Sequence, residues 1–83
     1  MANFKTVSTL VVDCSDWGFG PFEVLVIAEE GNLYSFFLRH PKYCGMHDMF
    51  STVLPSDEEA AEMAYNNAPH YIPSFIEEVM CDD

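Results

Sequence analysis

His40, Cys44, His47 and Asp48 form the one cluster in this chain with ligand-like chemistry. The spacing H-x3-C-x2-H-D could bring two imidazoles and a thiolate to one point, and zinc accepts both ligand types. A structural zinc site needs four ligands, so Cys14 or Cys81 would have to complete it. No CxxC pair is present to anchor such a site. The expectation is therefore no metal and no cofactor, with an exposed histidine and a buried, inert thiol in a loop. Cys44 and His47 also read as a nucleophile and its base. A low-pKa cysteine needs positive surroundings, and Lys5, Arg39 and Lys42 are the only Lys or Arg residues. Carboxylates are so numerous that an acid–base pair could always be named, which makes naming one uninformative. P-loop, GxGxxG, HExxH and GxSxG motifs are all missing from the sequence. The expectation is a protein that is not an enzyme.

The elements that must position these groups come from the apolar pattern. Residues 4–13 are rich in β-branched types and read as a strand. Phe4, Leu10 and Val12 lie on one side and Val7 and Val11 on the other, so the strand is expected to be covered on both faces or central in its sheet. Residues 14–21, CSDWGFGP, form a loop whose Trp17 and Phe19 either close the core edge or anchor a partner. Residues 22–29 and 33–40 alternate as strands around the turn Glu30-Gly31-Asn32, which predicts an antiparallel hairpin ended by Pro41.

Residues 41–55 read as irregular, or as one short helical turn around Met46 to Phe50. Ser56 followed by Glu59 makes a capping box, and three acids suit the first turn of a helix over 57–65. Ala60, Ala61, Met63 and Ala64 supply its apolar stripe. Asn66-Asn67 is expected to end it, and Pro73 to start a second helix that buries Phe75, Ile76, Val79 and Met80. The predicted architecture is α+β: a three-stranded antiparallel sheet followed by two helices packed on one face. All 83 residues form one domain, with the sheet in 1–40, the irregular segment in 41–55 and an acidic helical half in 56–83.

Charge is the outlier. Fourteen acids stand against three bases, for a net charge of −11. No phosphate-neutralising patch can be built from three bases, so direct nucleic-acid binding is not expected, nor is binding to an anionic membrane. The acids are concentrated: residues 57–83 carry eight and no Lys or Arg. Glu58 and Glu62 stand four apart, a like-charge pair that costs a few tenths of a kcal/mol on a helix. Solubility is one reason to accept such repulsion. Binding to a basic groove is another, since helical carboxylates about 6 Å apart lie within a factor of two of the ~3.4 Å phosphate spacing of duplex DNA. The expected partner-binding residues are Asp57, Glu58, Glu59, Glu62, Glu77, Glu78 and Trp17.

In length, acidity and layout the chain resembles the small DNA-mimicking inhibitors of phages, the anti-CRISPR proteins above all and anti-restriction proteins behind them. The resemblance rests on no motif. It implies a partner rather than a substrate: a basic nucleic-acid-binding protein, such as a CRISPR effector or surveillance complex, met in the host cytoplasm. The competing reading is an interaction module or homodimer that uses Trp17, Phe19 and Tyr43. The start MANFKTVSTLVVDCSD has no basic region followed by a long apolar core, so a secretory signal is not expected. The odd count of cysteines, Cys14, Cys44 and Cys81, favours reduced thiols and leaves their pairing open.

Overall fold

Strict alternation builds most of the sheet. In the computed structural model, which describes residues 6–43 and 45–80, the strands are β1 (Thr6–Asp13), β2 (Glu23–Glu29), β3 (Leu33–Arg39) and β4 (His47–Val53). They pair in sequence order, each antiparallel to the next. Phe22, Val24, Val26 and Ala28 are buried from one strand, and Tyr34, Phe36 and Leu38 from its neighbour. Gly31 and Asn32 both take positive φ, 81° and 60°, which closes the hairpin between β2 and β3 as its turn residues predict.

The architecture remains α+β, but the count of elements differs from the expectation. The sheet has four strands rather than three, and one helix follows it rather than two. The segment expected to be irregular contains β4. Its signal is broken by a bulge: Phe36 faces Phe50 while Phe37 faces Asp48, so Met49 is an extra residue. Met49 and Phe50 both turn toward the core and destroy the period of two. β1 is an edge strand, not a central one. Leu10 and Val12 pack on the core, whereas Val7 and Val11 are exposed; Phe4 lies outside the described residues.

Helix α1 (Asp57–Phe75) crosses one face of the sheet and continues as a π-helical segment, Ile76–Met80. Ser56 caps it, with Oγ accepting from the Glu59 N–H at 3.3 Å. Ala60, Ala64, Ala68 and Ile72 recur every fourth residue and are fully buried with Phe75. Ala61 and Met63, expected in the stripe, are half-buried at its margins. Ile76 packs against the core as expected, while the side chains of Val79 and Met80 lie outside the described residues. Three alanines in register let the helix backbone lie close to the sheet.

The helix runs through Asn66, Asn67, Pro69 and Pro73, where an end and a new start were expected. Two side-chain bonds make this tolerable. Asn67 Nδ2 donates back to the Met63 C=O at 2.8 Å, so its amide reinforces the turn. Pro69 has no N–H to give to the Tyr65 C=O. The Trp17 indole N–H donates to that carbonyl instead, at 2.8 Å.

Among the described residues no helix lies over the other face of the sheet. Register places four cross-strand rows there: Asp13, Glu23 and Arg39; Val11, Leu25, Phe37 and Asp48; Thr9, Ile27, Ser35 and Ser51; Glu29, Leu33 and Val53. No helix among the described residues is long and apolar enough to cross a membrane.

Candidate functional site

The six acidic residues expected to act together are divided by the fold. Asp57 is exposed but committed, because its Oδ1 accepts from the Tyr34 hydroxyl at 2.9 Å. That bond and the burial of the ring hold the Tyr34 phenol above its ordinary range. Glu78 lies at the far end of the helical segment, where Oε1 is 3.7 Å from His47 Nδ1 on β4. Glu77 is exposed nearby. Glu58, Glu59 and Glu62 remain together on the exposed side of the first two turns. From Met63 to Ile76 the helix carries no acid at all. Glu77 is therefore about 22 Å from Glu62 along the axis, at 1.5 Å per residue. The acidic row is a patch at one end, not a continuous track.

At that patch the surface dips. Glu59, Glu62, Met63, Asn66 and Asn67 line an open depression of about 190 Å³. Its lining combines two carboxylates, a thioether and two amides. Carboxylates beside a thioether can take up the charged head and the aliphatic stem of a basic side chain. Met63, Asn66 and Asn67 were not among the expected site residues. The only signal in the sequence was a spacing of four, from Glu59 to Met63, Glu62 to Asn66 and Met63 to Asn67, and it becomes readable once the helix is known to pass Asn67.

Trp17 stands apart from the depression. Its ring lies 5.2 Å from that of Tyr65, tilted by 30°, and its N–H is the bond that completes the helix. It keeps 39% of its surface exposed, beside Phe19 at 46%. Tyr43 is half-buried, edge-on to His40 and Phe75. The three aromatics thus differ in role: Trp17 clasps, Tyr43 packs, and Phe19 carries no described bond.

The two histidines of the His/Cys cluster have different partners. His40 is buried against the edge of Phe22, and its Nδ1 accepts from the Lys42 N–H at 3.1 Å. That bond makes Nδ1 the unprotonated nitrogen of the neutral ring. His47 sits instead near Phe75, Tyr71 and Glu78. Cys44 and Cys81 lie outside the described residues, and among the described residues no three ligand-type side chains converge. Cys14 is fully buried, and burial together with the Asp13 and Glu23 charges pushes its thiol up to about 11. The chain matches no family model, no curated protein and no solved structure.

Proposed function

We propose that this protein is a non-enzymatic binding module that seats a Lys or Arg side chain of a basic partner protein in the depression of α1. The observation that carries the reading is the depression itself: Glu59, Glu62 and Met63 line it together, on a helix that carries no Lys or Arg. A carboxylate pair beside an apolar floor recognises both the charge and the stem of a basic side chain. Glu58 adds field to the same patch, and the net charge of −11 steers a basic surface toward it. In its finer form the proposal is an inhibitor that covers a nucleic-acid-binding groove, of the anti-CRISPR kind in the phage-infected cell. The patch is short, so the groove is engaged at one point by the first two turns rather than along a full duplex footprint.

The test uses charge reversal in two places. The tagged protein captures its partner from a bacterial lysate, and duplex DNA is added as competitor. Release by DNA and by salt is expected, since both compete for a basic groove. Glu59→Lys with Glu62→Lys should abolish capture. Asp16→Lys with Glu30→Lys makes the same change in net charge at exposed sites elsewhere and should leave capture largely intact. Equal loss in both pairs would reduce the effect to overall charge. Capture that survives both pairs would sink the reading.

A further inference from the structure

The sheet face opposite α1 carries apolar side chains with no described helix packed over them. Val11, Leu25, Ile27, Leu33, Phe37 and Val53 all point to it, and Val11 and Val53 are 47% and 64% exposed. Contiguous apolar surface of this kind on a small protein marks an interface. We infer that this face docks a second copy of the same chain, sheet against sheet, with the two helices outward.

The occupant follows from charge placement. The one ion pair between carboxylate and guanidinium on this face is Arg39 Nε to Glu23 Oε1, at 3.1 Å across β2 and β3. These two strands are the middle of the sheet. Consider a two-fold axis parallel to the strands, lying between β2 and β3 and midway between the two sheets. It sets β2 of one copy over β3 of the other and keeps each residue's height along the strand. Glu23 then lies over Arg39 of the second copy, and Arg39 over its Glu23, giving a ring of four alternating charges. In the next row, Leu25 lies over Phe37 of the second copy. The offset of about 30° between packed sheets moves the end rows by a few ångströms, within reach of an arginine side chain. The Glu23–Arg39 row is self-complementary in charge and the Leu25–Phe37 row in apolar content, as a two-fold interface requires, while Asp13, Glu29 and Asp48 meet no opposite charge and weaken the pair.

Area and net charge set the strength. Four strands ~4.8 Å apart and seven residues long at ~3.3 Å each give a footprint of roughly 440 Å² per copy. Two copies approach about 900 Å² before side-chain relief is counted, below the ~1,200 Å² of a standard interface and in the range of weak, transient ones. Each copy carries −11, so long-range repulsion opposes the pair until salt screens it. The result is a reversible dimer that added salt strengthens, the opposite of what salt does to a basic partner on the helix side.

Sedimentation velocity across a wide concentration range, at low and at moderate salt, reads this out. The mass should rise from 9.4 kDa toward twice that value, and more readily in salt. Arg39→Glu and Glu23→Arg should each weaken association by about tenfold or more, because each places like charges in the ring. Both partners are exposed by more than a third, so neither variant should unfold the chain; circular dichroism checks this. The double swap, Glu23→Arg with Arg39→Glu, restores the alternation and should restore the dimer. Glu59→Lys with Glu62→Lys should leave the dimer intact, which separates this inference from the partner-binding reading. A monomer at every concentration and salt overturns the inference. So does a dimer indifferent to the single variants, as pairing along the β1 edge would be. Association that the double swap does not recover overturns it too, as does a complex that forms only with a basic protein.

Discussion

Two buried groups make individual residues sensitive to alkali. Cys14 is held near 11 by its burial and by neighbouring carboxylates, against an ordinary value of 9.0. Tyr34 is raised by the hydrogen bond it donates to Asp57 and by burial. In both cases the folded state keeps a proton that the unfolded chain has already released. Their contribution to stability is whole below the unfolded pKa and is lost as pH climbs through the folded one. Unfolding free energy should therefore begin to fall near pH 9 for Cys14 and about one unit later for Tyr34. Urea titrations at stepped pH check this: Cys14→Ala should flatten the earlier part of the decline and Tyr34→Phe the later part. Alkylation followed by mass mapping should find Cys14 unmodified until denaturant is added. A Cys14 that reacts freely in the native protein at pH 8 would contradict its burial.

The helix shows how an element can survive against its own sequence. An interior proline costs about 3 kcal/mol by propensity, and two asparagines precede it. Tertiary contacts outweigh this: five fully buried side chains at helical spacing hold α1 on the sheet. Trp17 supplies the hydrogen bond that Pro69 withholds. Trp17→Phe keeps the ring and removes the donor, and should cost about 1 kcal/mol. Pro69→Ala returns the missing N–H to the ladder. In that background Trp17→Phe should cost much less, and a double-mutant cycle in urea would measure the coupling. Additive effects would mean that the indole N–H does not serve the Tyr65 carbonyl.

The same elements mark how far local pattern reaches. The hairpin of β2 and β3, the cap at Ser56 and the burial of Ala60 and Ala64 were all legible, because each follows from alternation, turn chemistry or spacing within a few residues. The passage through Asn66 to Pro73 was not, since what sustains it lies 48 positions away at Trp17. β4 was hidden by its bulge at Met49. Reading β1 as covered on both faces failed for a related reason: its outward valines signal an open sheet face, which alternation alone cannot tell from a buried one.

At the scale of the whole molecule the acids stand out, and the fold deals with them unevenly. Glu58 and Glu62 were expected on one exposed face and are found there, while Asp57 and Glu78 are drawn off by Tyr34 and His47. Composition shows how much charge there is but not which carboxylates meet a neighbour. Repulsion among fourteen acids opposes compaction. Unfolding free energy should therefore rise as sodium chloride is raised from low to physiological ionic strength, where the screening length falls to about 8 Å. The measurement belongs at high dilution, where a dimer is dissociated, so that self-repulsion alone is read. A stability indifferent to salt would mean that the acids are too far apart in the fold to oppose it.

The order of the strands sets a timetable for biosynthesis. Every strand pairs with its neighbour in the chain, and the helix comes last. A hairpin closes in microseconds. The residues from 57 onward take roughly one to five seconds to be translated at 5–20 per second. Until the helix docks, a finished meander displays Phe22, Val24, Val26, Phe36 and Leu38 with nothing over them. The nascent chain thus passes through a stage with both sheet faces bare, one of them only until α1 arrives. A chain cut before residue 57 would keep that bare stage, so the helix decides whether the sheet stays out of aggregates.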